Sequence, residues 1–328
     1  MPRPRTTLTL TVVGLAPALL IVNGLVALAR GTREQLEREW ASRGAIDLSA
    51  GHAPQAADEF RAAQAYARDH GRYRLELARA LVGAGRPLEA RAELETLWID
   101  QPGAGVVNLE LARLAAADGE VGAAVRHYHA AIDGAWDKDP AAARRTTRLE
   151  LAQFLAGEQQ LPQADAELTI LLADPPVDPA ASALAGRIAF ARGDYRTAAA
   201  RLRAARAGAP LDVEATSMLD VSTRALALDP DARGITSRQR VRRIVGLFDI
   251  SLNAARRCAS GSAAPMRARL EAAAPTVTER ALTRDPDAVD AALELLIAAE
   301  SVVSAACPGG DADERALGML LRRTRGAT

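Results

Sequence analysis

Cys258 and Cys307 are the only thiols in the chain, and each falls at the C-terminal end of a stretch with helical periodicity. In an up-down-up arrangement of helices, the first and third end on the same side, so the two sulfurs can meet. A disulfide closing a loop of about 49 residues stabilises by about 4 kcal/mol through lost unfolded-chain entropy. It requires an oxidising compartment; the alternative is two buried free thiols. Two cysteines are too few for a four-ligand zinc ribbon. The histidines are His52, His70, His127 and His129, and the last two, two positions apart, point to different sides of a helix. No HExxH, GxSxG, phosphate-binding loop or dinucleotide fingerprint occurs. Acidic residues sit at helix-surface spacing. Asp137 and Asp139 beside Trp136 read as a capped loop, with a recognition tip as the alternative. Arg238, Arg240, Arg242 and Arg243 read as the wet face of an amphipathic helix, with a lipid- or acid-facing patch as the alternative. The sequence therefore gives no catalytic residues, no metal ligands and no cofactor, and the expectation is that the chain is not an enzyme.

The elements that position these groups are helices. The chain has 328 residues, with 49% apolar and only 3% aromatic side chains. Alanine, leucine and arginine dominate, and together with glutamate they favour helix over sheet. Lys+Arg and Asp+Glu are each 41, so the net charge is zero and a nucleic-acid partner is not expected. Lys138 is the single lysine, a bias that counsels against reading much into any one arginine.

Met1–Arg5 is short and basic, and residues 6–29 carry no charge. That exceeds the roughly 20 residues needed to span a bilayer as a helix. An uncleaved anchor is favoured over a cleaved signal peptide ending near Ala27-Leu28-Ala29, because the apolar run is longer than a signal usually has. Arginines lie on both sides of the segment, so the positive-inside count does not decide orientation. The short basic start resembles a signal anchor with the bulk of the chain exported.

The body repeats. From Gly51, equivalent turns follow at Gly85, Gly119, Gln159 and Gly193. Ala56, Ala90, Ala124, Ala164 and Ala198 follow these anchors in phase, and so do Phe60, Leu94, Tyr128, Leu168 and Leu202. Small residues recur before each anchor at Gly44, Ala78, Ala112, Ala152 and Gly186, and the string LELA occurs at Leu75–Ala78, Leu109–Ala112 and Leu149–Ala152. Pro102, Pro176 and Pro210 close three repeats; Pro140 closes another late, after an insertion at 134–139. Small residues where helices cross, large ones at their flanks and a turn between them define a two-helix repeat. The pattern resembles the tetratricopeptide repeat (TPR) over about residues 36–230. It departs in lacking the usual early tryptophan, in the missing proline of the first repeat and in Gln159 for glycine.

The resemblance implies an all-α, right-handed solenoid of helical hairpins, preceded by one transmembrane helix and followed by a small α-helical module. The regions are 1–31 (basic N-terminus and anchor), 32–230 (about five hairpins plus a further, solvating helix at Leu211–Leu228) and 231–328 (a module with the cysteine pair). Carried over position by position, the TPR phase puts Leu75, Arg79 and Val82 on the concave face. Leu109 and Arg113 follow, then Leu149 and Gln153, then Arg187 and Phe190. Arginines there could bind carboxylates of a peptide in bidentate fashion. The favoured reading is a solvated face, with Glu76–Arg79 and Glu110–Arg113 paired along their own helices. The set lacks the lysines and asparagines of chaperone-tail clamps.

After Pro230 the phase stops. A helix starting at Ser237 as cap, a helical stretch broken near Pro275, a helix opened by Asp285-Pro286 and a last short helix are expected. The resemblance implies a membrane-tethered protein–protein interaction adaptor, single-pass in a bacterial inner membrane, with its bulk in the periplasm. Its partner is a protein or peptide, and residues 6–29 contact the membrane. Three alternatives stay open: an accessory or regulatory subunit of an envelope-biogenesis enzyme complex, a cytoplasmic-facing scaffold, or a secreted protein. TPR surfaces also dimerise, so a homodimer is compatible.

Overall fold

A computed structural model describes residues 31–67, 71–258 and 260–325. The apolar segment 6–29 and His70 lie outside the described residues. Among the described residues, no helix is long and apolar enough to cross a membrane.

The described chain is helical. Helix α1 (31–49) precedes α2 (Ala53–Tyr66), and the pattern continues through α3 (Arg74–Gly83), α4 (Pro87–Asp100), α5 (Gly105–Ala117) and α6 (Val121–Asp133). Then come α7 (Pro140–Gly157), α8 (Leu161–Ala173), α9 (Pro179–Ala191), α10 (Tyr195–Gly208) and α11 (Val213–Leu228). The chain divides into two compact units between Leu151 and Ala152.

Each hairpin turn has one physical cause. The first helix must end in a left-handed residue so that the next two amides can fold back onto its last carbonyls. Gly51, Gly85, Gly119 and Gly193 adopt φ of 82°, 72°, 73° and 75°. Arg86 N–H then donates to Leu81 O at 2.8 Å, and Asp194 N–H to Ala189 O at 2.9 Å. Gln159 does the same at φ 59°, with Gln160 N–H donating to Leu155 O at 2.8 Å, and so carries a side chain in a conformation that glycine adopts without strain.

The repeated small residues are where the helices touch. Ala56, Ala90, Ala124, Ala164 and Ala198 are all 0% exposed. Gly186 lies so close to the neighbouring helix that a Cβ there would sit 2.6 Å from Leu202 Cγ. The core of the first unit gathers Phe60, Leu77, Leu81, Leu94 and Leu111. Each such side chain contributes roughly 1.5–3 kcal/mol on burial.

The insertion at 134–139 is tied down. Gly105 N–H donates to Ala135 O and Ala135 N–H to Gly103 O, both at 2.8 Å, a short parallel bridge between two loops. Trp136 is not an exposed tip. Its Nε1 donates to Ala131 O at 2.9 Å, and its ring lies against Gly105, where a Cβ would come within 2.4 Å of it. Asp139 Oδ1 accepts from Ala142 N–H and so caps α7.

In the second unit, α11 packs on α10 and also on α16. It is not simply a solvating helix. Leu219 joins the α10 side, while Val221 and Ala225 join the core of the C-terminal helices. Those helices are α12 (Ser237–Arg257), α13 (Ala264–Ala273), α14 (Glu279–Arg284), α15 (Pro286–Ala306) and α16 (Ala312–Arg325), with a 3-10 turn at Gly261–Ala263. Their core includes Ile244, Leu247, Phe248, Leu270, Leu296 and Leu317. The cap of α12 is Thr236 rather than Ser237, because Gln239 closes a reciprocal capping box with Thr236. Asp285 caps α15 with Pro286 at its first turn. Cys258 and Cys307, the residues ending α12 and α15, form a disulfide with their Cα atoms 5.8 Å apart.

Candidate functional site

The inner-face positions fall in both units, and each group is described on its own. In the first unit, α3 and α5 each carry an arginine directly after a LELA run that supplies a glutamate. Arg79 Nε donates to Glu110 Oε1 at 2.8 Å, one repeat on. Arg113 donates to both oxygens of Glu150, each at 2.8 Å, again one repeat on. The pairing therefore runs between repeats. The within-helix pairs expected from the sequence are weaker or absent: Arg113 Nη1 lies 3.4 Å from Glu110 Oε1, and Glu76 makes no pair with Arg79. Reaching to the adjacent helix, Arg113 presents two N–H groups to the two oxygens of Glu150 in a fork, a bidentate match that its own-helix contact with Glu110 does not make.

Tyr128, on α6, completes the arrangement by donating its hydroxyl to Glu150 Oε1 at 3.0 Å. Burial pushes the Glu150 carboxyl up, but the Arg113 hydrogen bonds and charge, with the Tyr128 hydroxyl, outweigh this and leave it below its ordinary range. Burial, followed by the Glu150 charge, pushes the Tyr128 hydroxyl upward. Both groups stay in the forms that hold the pair together at neutral pH.

Around this ladder the apolar positions differ in availability. Val82 is 47% exposed and Leu75 and Leu149 are half-buried, whereas Leu109 is only 8% exposed and belongs to the core. In the same unit, Asn108 is buried and donates to Pro102 O and Ala104 O. Its Oδ1 is therefore left to accept from His127 Nδ1 at 3.1 Å, which fixes that tautomer. Burial first, then the charges of Arg126 and Arg91, hold His127 towards its neutral form.

In the second unit, Gln153 is exposed. Arg187 on α9 pairs with Asp212 and with Glu214, the latter at 3.2 Å. Asp212 also caps α11 by accepting from Ala215 N–H at 2.8 Å, and this bond is the main cause of its lowered pKa. Phe190 packs edge-on against Tyr195, ring centroids 5.8 Å apart, and both rings lie against the C-terminal core. Phe190 is thus partly withdrawn from the face it was expected to line. Two members of the basic run on α12 are ion-paired, Arg240 with Asp231 and Arg242 with Glu279, while Arg243 donates to the backbone oxygen of Asp229. Among the described residues, no group of His, Cys, Asp and Glu could hold a metal ion.

Glu110 as the partner of Arg79, and Glu150, Asp212 and Glu214, are the carboxylates that spacing alone did not assign. A signal for two of them was in the repeated LELA string, whose glutamate recurs with the repeat.

Comparison with known structures bears on the fold. A structure of Pseudomonas aeruginosa pilF superposes with a TM-score of 0.50 at 13% identity, covering 67% of this chain and 93% of that one. A tetratricopeptide repeat protein from Parabacteroides merdae covers 88% of this chain and 99% of its own at a TM-score of 0.47 and 13% identity. No protein-family model matches the sequence, and no curated protein sequence is detectably similar. The fold is a TPR-type helical-hairpin solenoid.

Proposed function

We propose that this chain is a membrane-tethered adaptor that captures protein segments on the inner face of its TPR-type repeats, on the exported side of a bacterial inner membrane. The observation that carries this reading is the fixed ladder Arg79–Glu110 and Arg113–Glu150 with Val82 standing 47% exposed beside it. A surface whose polar groups are already held needs little ordering to bind, so less of the interaction energy is lost on association. The arginines act as braces for this surface and as a polar rim; they are not unpaired anion receptors. The Cys258–Cys307 disulfide favours an oxidising compartment. The uncharged segment 6–29 supplies the tether. Confinement to a membrane raises the effective concentration of a partner without adding contacts.

The test is photo-crosslinking in cells from position 82 and, as control, from position 99 on α4, where Ile99 is 74% exposed. A partner crosslinked from 82 and lost with Leu75→Glu supports the inner face. A partner crosslinked only from 99 overturns it. Sidedness is read from thiol labelling of intact cells: Cys258 and Cys307 blocked until reduced support export, and labelling without reductant refutes it.

A further inference from the structure

The Arg–Glu ladder stops one rung early. Glu110 and Glu150 each take an arginine from the preceding repeat. Glu76 holds the same place one repeat earlier, as the glutamate of the first LELA string. The residue that would serve it lies 31 positions before it, the separation of Arg79 from Glu110, and it is Ala45. The register is secure, because Gly51 and Gly85 form the same left-handed turn at φ 82° and 72°. Ala45 is exposed, as Arg79 is. Glu76 Oε2 is shielded from solvent and has no hydrogen-bond partner. Among the described residues, the arginines nearest in sequence are engaged elsewhere: Arg43 with Glu39, Arg72 with Glu37 and Arg74 with Glu93.

We propose that Glu76 is a docking point for an arginine side chain of the captured partner segment, which takes the place of the guanidinium that repeat one lacks. This deepens the inner-face reading and rests on it. Glu76 is half-buried as a residue, so the incoming guanidinium meets its carboxylate at Oε1 rather than at the shielded Oε2, and a charged donor there relieves part of the cost of holding a half-buried carboxylate without one. The two complete rungs show what fits: a guanidinium approaching from the N-terminal side, across a position that carries only a methyl group in repeat one. The geometry also sets direction, since the arginine must lie at the N-terminal end of the groove, with the apolar part of the segment running towards Val82.

The test uses the full-length chain and a displayed library of random peptides. Wild type should enrich peptides carrying arginine. Glu76→Gln should weaken binding of those peptides about ten-fold or more, the loss expected for one charge-assisted hydrogen bond. Ala45→Arg should weaken it similarly, because the new side chain fills the place from within. Ala45→Arg should also raise the melting temperature by about 1–2 °C, and only when Glu76 is present. Peptides that bind wild type and both variants equally would refute the docking point while leaving the inner-face reading intact. A gain from Ala45→Arg that persists with Glu76→Gln would refute the pairing geometry. If no peptide is retained by any variant, the inner-face reading falls, and this proposal with it.

Discussion

Arg113 holds both carboxylate oxygens of Glu150 from the adjacent repeat, each at 2.8 Å, and Tyr128 donates to one of the same oxygens. One guanidinium and one phenol thereby join α5, α6 and α7. Arg113→Ala removes the charged partner of a carboxylate whose side chain is only 26% exposed. Because Arg113 itself is 45% exposed, solvent screening limits the loss to about 1 kcal/mol. Urea melts should show that loss, and Arg113→Lys should recover only part of it, because an ammonium cannot bind both oxygens at once.

Acid should act on the same pair. The folded Glu150 carboxyl lies below its unfolded value, so it contributes stability that is fully present above the ordinary carboxylate range. That contribution is lost as pH falls from there through the folded value. Melting temperature measured from pH 6 downward should therefore fall less steeply in Glu150→Gln than in wild type, although the variant starts lower. Equal slopes would show that Glu150 titrates alike in both states.

Gln159 occupies a left-handed turn that four glycines occupy elsewhere. Gln159→Gly should stabilise by about 0.5–1 kcal/mol, the relief of backbone strain less the added freedom of the unfolded chain. Gly85→Ala, at φ 72°, should destabilise by about 1 kcal/mol. Thermal melts of the two variants should move in opposite directions.

Losing the disulfide should weaken the C-terminal core. The Cys258→Ser, Cys307→Ser double variant should lose about 2–4 kcal/mol. Reductant should lower the melting temperature of wild type and leave the double variant unchanged, which separates the crosslink from any effect of the serines themselves.

The hairpins were legible because their determinants are local and repeated. Ala56, Ala90, Ala124, Ala164 and Ala198 stand out as small residues in phase, and each is fully buried. The ends of α12 and α15 were legible from their periodicity, and with them the meeting of Cys258 and Cys307. The ladder was not. Arg113 has a glutamate three residues back and another in the next repeat, and spacing along one helix cannot say which is better oriented. The inter-helix distance decides, and that distance is set by small residues elsewhere in the core. Thr236 was missed as a cap although Thr236 and Gln239 stand three apart, the spacing of a capping box. The packing of Phe190 and Tyr195 against the C-terminal helices depends on contacts far apart in sequence, which no local pattern reports.

Arg79 and Glu110 are separated by 31 residues, whereas Arg113 and Glu150 are separated by 37, yet the two rungs close at the same distance. The difference is the length of the insertion tied back by Ala135 and Trp136. Extra chain at that loop is absorbed locally, and the angular phase of the helix that follows is kept. The exposed stretch around Asp137 and Lys138 is therefore a natural graft site, where a short epitope or reporter peptide could be spliced in with the inner face left in register.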